Sequence, residues 1–445
     1  QNDPNKIVTI HNLCVLLSAI CHLCSSLLAS RPTSRMKSKD LWLGIRNQVN
    51  NKNSEIFKIL DYCNKNNIPT VFWNKEDPVY FSSYIELARH FDYIFTTDAN
   101  LIDEYKKECG HSNVYNLTFA INPKLHNPIN RKAFPEKDII FAGTYYKDFE
   151  ERIKGYENVL KPALNYNLDI YSRNIQKNTD IEKQFPEEYK NNILGSVPYN
   201  KLLDIYKEYK MSLNVNSVTN SPTMFSRRIL ESLACGTPVI SSHNKAIENI
   251  FGNDIVLLSK NKEDTVNYIE KYLNNDIERD KLMMKGMRKV FGEHTSTKRM
   301  VTILDKLHIK KEYNNPLITI LASTNKPKYI DRIFENIRRQ EYENIETIII
   351  INTMNIDIND YKSMIREGEN IKIIQLPDEL TLGQCLNKGI EISKGEILAK
   401  FDDDDFYSPY YLTDQYYGML YSGADLVSKT KHMCYIEVLD STVLL

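Results

Sequence analysis

Apolar and polar positions switch between two periods along most of the chain. SEIFKILDYCNKNN (54–67) carries apolar residues at helical spacing, and IPTVFW (68–73) is a compact apolar run rich in β-formers. FDYIFTTD (91–98) repeats the strand pattern, LIDEYKKEC (101–109) the helical one, and INPKLHNPINRKAFP (121–135) reads as a linker. A second alternation places strands over DIIFAG (138–143), NLDIYS (167–172) and KMSLNVN (210–216). SPTMFSRRILESLACGTPVISS (221–242) reads as helix then strand, and 263–294 as one long helix. A third begins after YNNP (313–316), with strands over LITILAST (317–324), IETIIIIN (345–352) and KIIQL (372–376). Its helices fall over KYIDRIFENIRRQ (328–340) and LGQCLNKGIEISKG (382–395), the latter closed by Gly395. A last strand, EILAKFDDDD (396–405), ends in four acids. Strands alternating with helices predict parallel sheets covered on both faces. The expectation is an α/β chain of two facing Rossmann-like lobes and a separate third domain.

A length of 445 residues suits two to three domains. A net charge of −1, with basic residues interleaved among acidic ones, argues against a nucleic-acid partner. The eight cysteines are mostly isolated, which suits a reducing, cytoplasmic setting. Cys21 and Cys24 form a CxxC, but no second pair follows at zinc-binding spacing. Ile7 to Ser30 contains no Asp, Glu, Lys or Arg, a length that could span a bilayer, with Arg31, Arg35, Lys37 and Lys39 beyond it. His, Asn, Ser and Cys dilute the run. A buried helix or a disturbed N-terminus is favoured over membrane association, and no clean A-x-A site supports a cleaved signal peptide.

Within 221–234, Ser221 reads as an N-cap and Pro222 as the first helical residue. Phe225, Ile229 and Leu233 share one face for the core, Arg227 and Glu231 a polar face, and Cys235, Gly236 and Pro238 end the helix. A helix N-terminus after a strand offers free N–H groups to an anion. Arg227 or Arg228 could then hold a diphosphate, and Glu231 could accept from ribose hydroxyls. The competing reading, which spacing alone favours, is a surface salt bridge between Arg227 and Glu231.

SPTMFSRRILESLACGTPVIS resembles the signature of the CgeB-like (spore protein) glycosyltransferases, which share the two-lobed GT-B fold. Glu231 matches the second of that class's paired glutamates; the first position is Thr223, a departure. IPTVFWNKEDPVYF (68–81) and FDYIFTTDANLIDEY (91–105) resemble the family's first lobe, and FAGTY (141–145) the turn that opens its second. The likeness runs from Leu41 to Leu307 and leaves 1–40 as an atypical N-terminal segment, where the family carries its opening strand. It implies an acceptor-side lobe over 41–125 and a donor lobe over 126–312, with no metal required. Donor contacts are implied at Gly143, Arg173, Arg227, Arg228, Glu231 and Gly236. Asn74, Lys75, Glu76 and Asp77 follow a predicted strand and read either as the acceptor-side wall of the cleft or as a polar loop.

KFDDDDF (400–406) caps a strand whose Ile397, Leu398 and Phe401 read as buried. Adjacent carboxylates at a strand end repel unless a cation sits among them, and Mg²⁺ or Mn²⁺ suits oxygen ligands. The bland alternative is a solvated charge run. Residues 316–438 resemble family 2 glycosyltransferases of the GT-A fold, and the acids resemble their DxD motif. In that likeness Thr324, Asn325 and Asp402 approach the nucleotide, and Asp402 and Asp404 bind the metal. Asp357 is the nearest acid to the family's base- and ribose-holding position. The chain reaches Leu445 forty residues past Asp405, and no candidate base follows in a matching motif, Glu437 and Asp440 being merely nearby acids, so a partial domain is expected over 313–445.

The sequence therefore suggests a glycosyltransferase moving a sugar from a nucleotide-activated donor, a UDP-sugar first among them. The acceptor suggested by the likeness is a spore or cell-surface polysaccharide or other glycan. The alternative is a catalytically incomplete nucleotide-sugar-binding protein. A dinucleotide-dependent oxidoreductase is disfavoured, since no GxGxxG follows a predicted strand and the chain has only 15 glycines.

Overall fold

The structure is a computed structural model, and it describes residues 14–17, 54–172, 184–309, 313–429 and 432–444. The chain divides into two compact units, Gln1–Lys311 and Glu312–Leu445.

The first unit holds two parallel sheets. One contains β1 (Cys14–Leu17), β2 (Thr70–Asn74), β3 (Tyr93–Thr96) and β4 (Val114–Asn116), in that spatial order. Val71, Phe72, Ile94 and Phe95 are fully buried because helices cover both faces, as a parallel sheet requires. On one face lie Ile56, Phe57 and Leu60 of the helix Glu55–Lys65, Tyr84 of Phe81–Ala88 and Tyr105 of Ile102–Cys109. On the other, Val71, Trp73 and Phe95 pack with Ile303 and Leu307 at the helix Ser296–Lys306. That helix belongs to the donor lobe by sequence order, yet its apolar stripe closes the core of the first lobe.

β1 falls inside the apolar run 7–30, so this part of the run is a sheet strand and not a helix. β1 takes the place of an opening strand in this sheet, within the segment expected to be shortened or altered. The rest of the run, the Cys21/Cys24 pair and Arg173 lie outside the described residues. Among the described residues no helix is long and apolar enough to cross a membrane.

The second sheet contains β5 (Lys137–Ala142), β6 (Leu168–Tyr171), β7 (Ile193–Gly195), β8 (Tyr209–Asn214), β9 (Val239–Ser242) and β10 (Leu257–Ser259). Their order is β10-β9-β8-β5-β6-β7, all parallel. The winding reverses between β5 and β8, and such a switch point leaves a crevice outside the strands' carboxyl ends. The single helix expected over 263–294 is two, Lys262–Leu273 and Asp276–Glu293. Asn275 caps the second by accepting from Glu278 N, while the buried Arg279 guanidinium donates to Tyr272 O and Leu273 O at the end of the first. Side-chain capping on both sides of the break outcompetes a continuous ladder.

The second unit has β11 (Ile318–Thr324), β12 (Ile345–Ile351), β13 (Ile371–Gln375) and β14 (Ile397–Asp402) in the parallel order β13-β12-β11-β14. β15 (Met433–Ile436) and β16 (Ser441–Leu444) form a separate antiparallel hairpin. Here the switch point lies between β11 and β14. The helix expected to close at Gly395 ends at Ile392, with Ser393 already extended. Gly395 instead permits a close approach: a Cβ there would lie 2.6 Å from Thr319 N, and its own N–H donates to Thr319 Oγ1 at 2.9 Å. Leu398, expected to be buried, is 43% exposed on β14, an edge strand of the sheet.

Candidate functional site

In the first unit, loops from both lobes enclose a cleft of about 270 Å3. Lys75, Glu76, Asp77, Val79 and Tyr80, just past β2, form one wall. Tyr146, Phe149 and Arg152 after β5, Val215 to Val218 after β8, and Met224 to Ser226 form the other. The cleft therefore opens at the carboxyl ends of the strands on both sides, and on the donor side at the switch point.

The predicted acceptor-side residues divide into builders and wall. Asn74 and Asp77 are fully buried, and Asn74 is the last residue of β2. The Asn74 amide donates to Asp77 Oδ1 at 2.7 Å and to the Tyr105 hydroxyl at 2.9 Å, and its Oδ1 accepts from Glu76 N at 3.0 Å. Thr96 donates to Asp77 Oδ2 at 2.5 Å. Burial pushes the Asp77 carboxyl up to about 7; the Thr96 and Tyr105 hydrogen bonds oppose this, and the charges of Asp98 and Glu76 add to it. Lys75 is buried with its ammonium 4.1 Å from the centre of the Trp73 ring, whereas Glu76 is exposed.

On the donor side, the expected helix start at Ser221 is overturned: the helix runs only from Arg228 to Ala234, with 221–227 as a loop. Ser221 Oγ still accepts from Met224 N at 2.9 Å, but its hydroxyl donates to Asp98 of the other lobe at 2.6 Å. Tertiary bonds have taken the groups that would have begun the helix. An anion site on a helix N-terminus at Ser221 is therefore absent.

Gly143 and Arg228 do meet at the switch point. The guanidinium lies over Gly143, where a Cβ would sit 2.9 Å from Nη2, and it donates to Asn214 Oδ1 at 3.1 Å. Its Cζ is 5.3 Å from the centre of the Phe141 ring.

Arg227 and Glu231 do pair, at 2.7 Å, but not on the surface: Glu231 is only 5% exposed. The Tyr199 hydroxyl donates to the same carboxylate oxygen at 2.5 Å, and His126 Nε2 lies 2.8 Å from that hydroxyl. Burial alone would raise the Glu231 carboxyl; Arg227, His126 and Tyr199 outweigh it and hold the group below its ordinary range. Gly236 is not among the residues lining the cleft. It ends the helix at φ +80°, with the Arg131 side chain packed where a Cβ would point.

Arg152 was missed by sequence reading. It lies on the helix Glu150–Gly155, with its guanidinium 4.5 Å from the Tyr146 ring centre, and it lines the cleft. The signal available was a cation on the first helix after the Gly143 turn.

In the second unit, the Thr324 hydroxyl donates to Asp403 Oδ2 at 2.5 Å across the ends of β11 and β14. Asp402 turns the other way, and the Lys400 ammonium binds both its oxygens at 2.5 and 2.8 Å. Arg332 donates to Asp404 O at 2.6 Å and Asn336 to Asp405 O at 2.8 Å, so the helix Ile330–Arg338 clamps the acid loop by its backbone. The Asp404 and Asp405 side chains are exposed. Thr324 therefore meets Asp403, the one acid of the first three that the motif had left unassigned. Asn325 is exposed beside it. Asp357 caps the helix Ile358–Lys362 through Asn359 N at 2.8 Å.

Residues 134–305 match the family described as glycosyl transferase-like, and residues 319–438 match glycosyl transferase family 2. The chain thus carries a GT-B-like unit followed by a family 2 unit, two glycosyltransferase-type domains of α/β architecture. It is 35% identical over 102 residues to EpsH of Bacillus subtilis, named as a glycosyltransferase, covering 22% of this chain and 28% of that protein. It is 28% identical over 99 residues to WcaA of Escherichia coli, named as a colanic acid biosynthesis glycosyl transferase, covering 22% of this chain and 35% of that one. The chain thus spans about a third or less of these curated relatives. A crystal structure of Anabaena HepE in complex with UDP is similar at 11% identity and a TM-score of 0.42, over 60% of this chain and 81% of that one.

Proposed function

We propose that the protein transfers a sugar from a nucleotide-activated donor to a glycan, with the cleft of the first unit as the working site. The observation that carries this reading is the meeting of strand-end loops from both lobes around one cleft. Donor-lobe groups stand at a switch point and a carboxylate pair stands on the facing loop. Among the described residues, Arg152 and Arg228 are cations near the donor-lobe strand ends that suit a diphosphate. Glu76 is the exposed carboxylate of the opposite wall and suits acceptor hydroxyls. A UDP-sugar donor, a CgeB-like assignment of this unit, a spore or surface polymer as acceptor and a cytoplasmic location are the finer parts of the proposal.

In the second unit, a nucleotide would lie at the β11/β14 switch point beside Thr324, Asn325 and Asp403. Mn²⁺ or Mg²⁺ would supply charge neutralisation of a diphosphate there. The oxygen donors fit such an ion, and the exposed Asp404 is the residue placed to hold it, with Asp402 available once Lys400 releases it. Among the described residues no group of three His, Cys, Asp or Glu is poised as a metal cage, so the phosphates themselves must complete the shell.

The test is UDP-sugar turnover by the whole chain, with glycan acceptor, in Mn²⁺ and in EDTA. Turnover that survives EDTA supports the first unit as the transferase. Turnover seen only with Mn²⁺ moves the activity to the acids of the second unit. Donor binding with no turnover in either buffer favours a binding protein.

A further inference from the structure

Thr223 stands where the likeness to CgeB-like enzymes calls for a glutamate, and the structure gives it a different task. Its hydroxyl donates to Thr97 O at 2.9 Å and accepts from Ala99 N at 2.9 Å and Asn116 Nδ2 at 3.0 Å. All three partners belong to the opposite lobe, after β3 and at the end of β4. Two residues earlier, Ser221 donates to Asp98 Oδ1 at 2.6 Å, and both of these side chains are buried. The same loop is fastened to its own lobe by Asn244, which donates to Met224 O, and by Asn249, which donates to Pro222 O, both at 3.2 Å. It then runs directly into Met224, Phe225 and Ser226, which line the cleft.

The contact continues to the other wall. Asp98 N donates to Thr96 Oγ1 at 3.1 Å, and the Thr96 hydroxyl donates to Asp77, whose partner Asn74 holds Glu76 N. An unbroken chain of hydrogen bonds therefore joins the donor-lobe loop 221–226 to the acceptor-side loop 74–77.

We propose that Ser221 and Thr223 form a latch between the lobes that sets the separation of the two cleft walls. They are positioning residues and act through Asp98, Thr96 and Asp77. The geometric claim stands on the contacts alone; its catalytic consequence rests on the glycosyl-transfer reading above. A glutamate at 223 could not reproduce this set, because an ionised carboxylate cannot donate to Thr97 O.

The test compares the full chain with Thr223→Val, which keeps the shape and loses the hydroxyl, and with Thr223→Ser, which keeps the hydroxyl. Amide hydrogen exchange is measured at Ala99 and over 221–226. Thr223→Val should speed exchange at both by about tenfold or more, since it removes all three hydrogen bonds of the hydroxyl, while Thr223→Ser stays at the wild-type rate. In the same preparations, transfer to acceptor should fall and donor hydrolysis by water should not. Ser221→Ala should show the same direction of change. Unchanged exchange in Thr223→Val, or a Ser variant no better than Val, overturns the latch. Faster exchange in Thr223→Val, together with a wild-type protein that never turns over donor, upholds the latch and rejects the transfer reading instead.

Discussion

The Tyr199 phenol and the Arg227 guanidinium converge on one oxygen of Glu231, at 2.5 and 2.7 Å. A buried carboxylate is thereby held by one neutral and one cationic donor from its own lobe. Removing such a carboxylate leaves a guanidinium and a phenol without their acceptor, so Glu231→Ala should destabilise the chain by about 3 kcal/mol. Tyr199→Phe should cost less, about 1 kcal/mol. Denaturant unfolding checks both. The lowered Glu231 carboxyl also gives a sign: its contribution is full above about pH 4.5, the ordinary value, and is lost as pH falls through the folded-state value. Acid unfolding should therefore shift in Glu231→Gln.

Asp77 carries the opposite sign. Its carboxyl is raised from 3.8 to about 7, so the folded state prefers it protonated. Its contribution to stability is full below pH 3.8, declines as the unfolded chain ionises first, and levels off above pH 7. The total change is on the order of 4 kcal/mol at most, since the rise is about three pK units and each is worth about 1.4. Asp77→Asn should flatten that slope between pH 4 and 7, read by unfolding at a series of pH values.

Gly143 leaves room for the Arg228 guanidinium. Gly143→Ala places a methyl 2.9 Å from Arg228 Nη2 and from the Phe141 ring, so the cation must shift from the switch point. Calorimetric titration should then show UDP affinity reduced about tenfold, in the range of one displaced charge-assisted hydrogen bond. Wild-type affinity in this variant would remove Arg228 from the donor site.

The acids of the second unit should separate by role. Asp404→Asn, at an exposed side chain, should leave the unfolding midpoint unchanged and abolish Mn²⁺-dependent nucleotide binding. Asp403→Asn loses the charge that accepts from Thr324 and should lower stability by about 1 kcal/mol as well. Mn²⁺ alone should bind far more weakly than Mn²⁺ with UDP, because phosphate oxygens must complete the shell.

Much of the sheet architecture was legible because parallel strands are buried on both faces and read as unbroken apolar runs. IETIIIIN and LITILAST became β12 and β11 within a residue or two of the expected ends. Short strands left no such trace. β4, β7 and β10 have three residues each, too few for a period to show. The acid run was legible as a strand end, because apolar residues stop abruptly at Asp402. Which acid faces the crevice was not legible, since that depends on the pleat of β14 against β11, where Ser323 pairs with Asp402.

The sequence by itself determined the alternation of strand and helix, the three parallel sheets it builds and the strand ends that border the cleft and carry the acid run. These follow from local periodicity, which the chain carries wherever it folds. Tertiary structure decided what residues 221–227 became. Ser221 and Pro222 hold every local signal for a helix start, yet the hydroxyls of Ser221 and Thr223 found partners more than a hundred residues away, in the other lobe. It also decided that Glu231 is buried, because Tyr199 and His126 come from elements distant in sequence to enclose it. A hydrogen bond formed only on folding has no local signature, and the groups that define this cleft are held by such bonds.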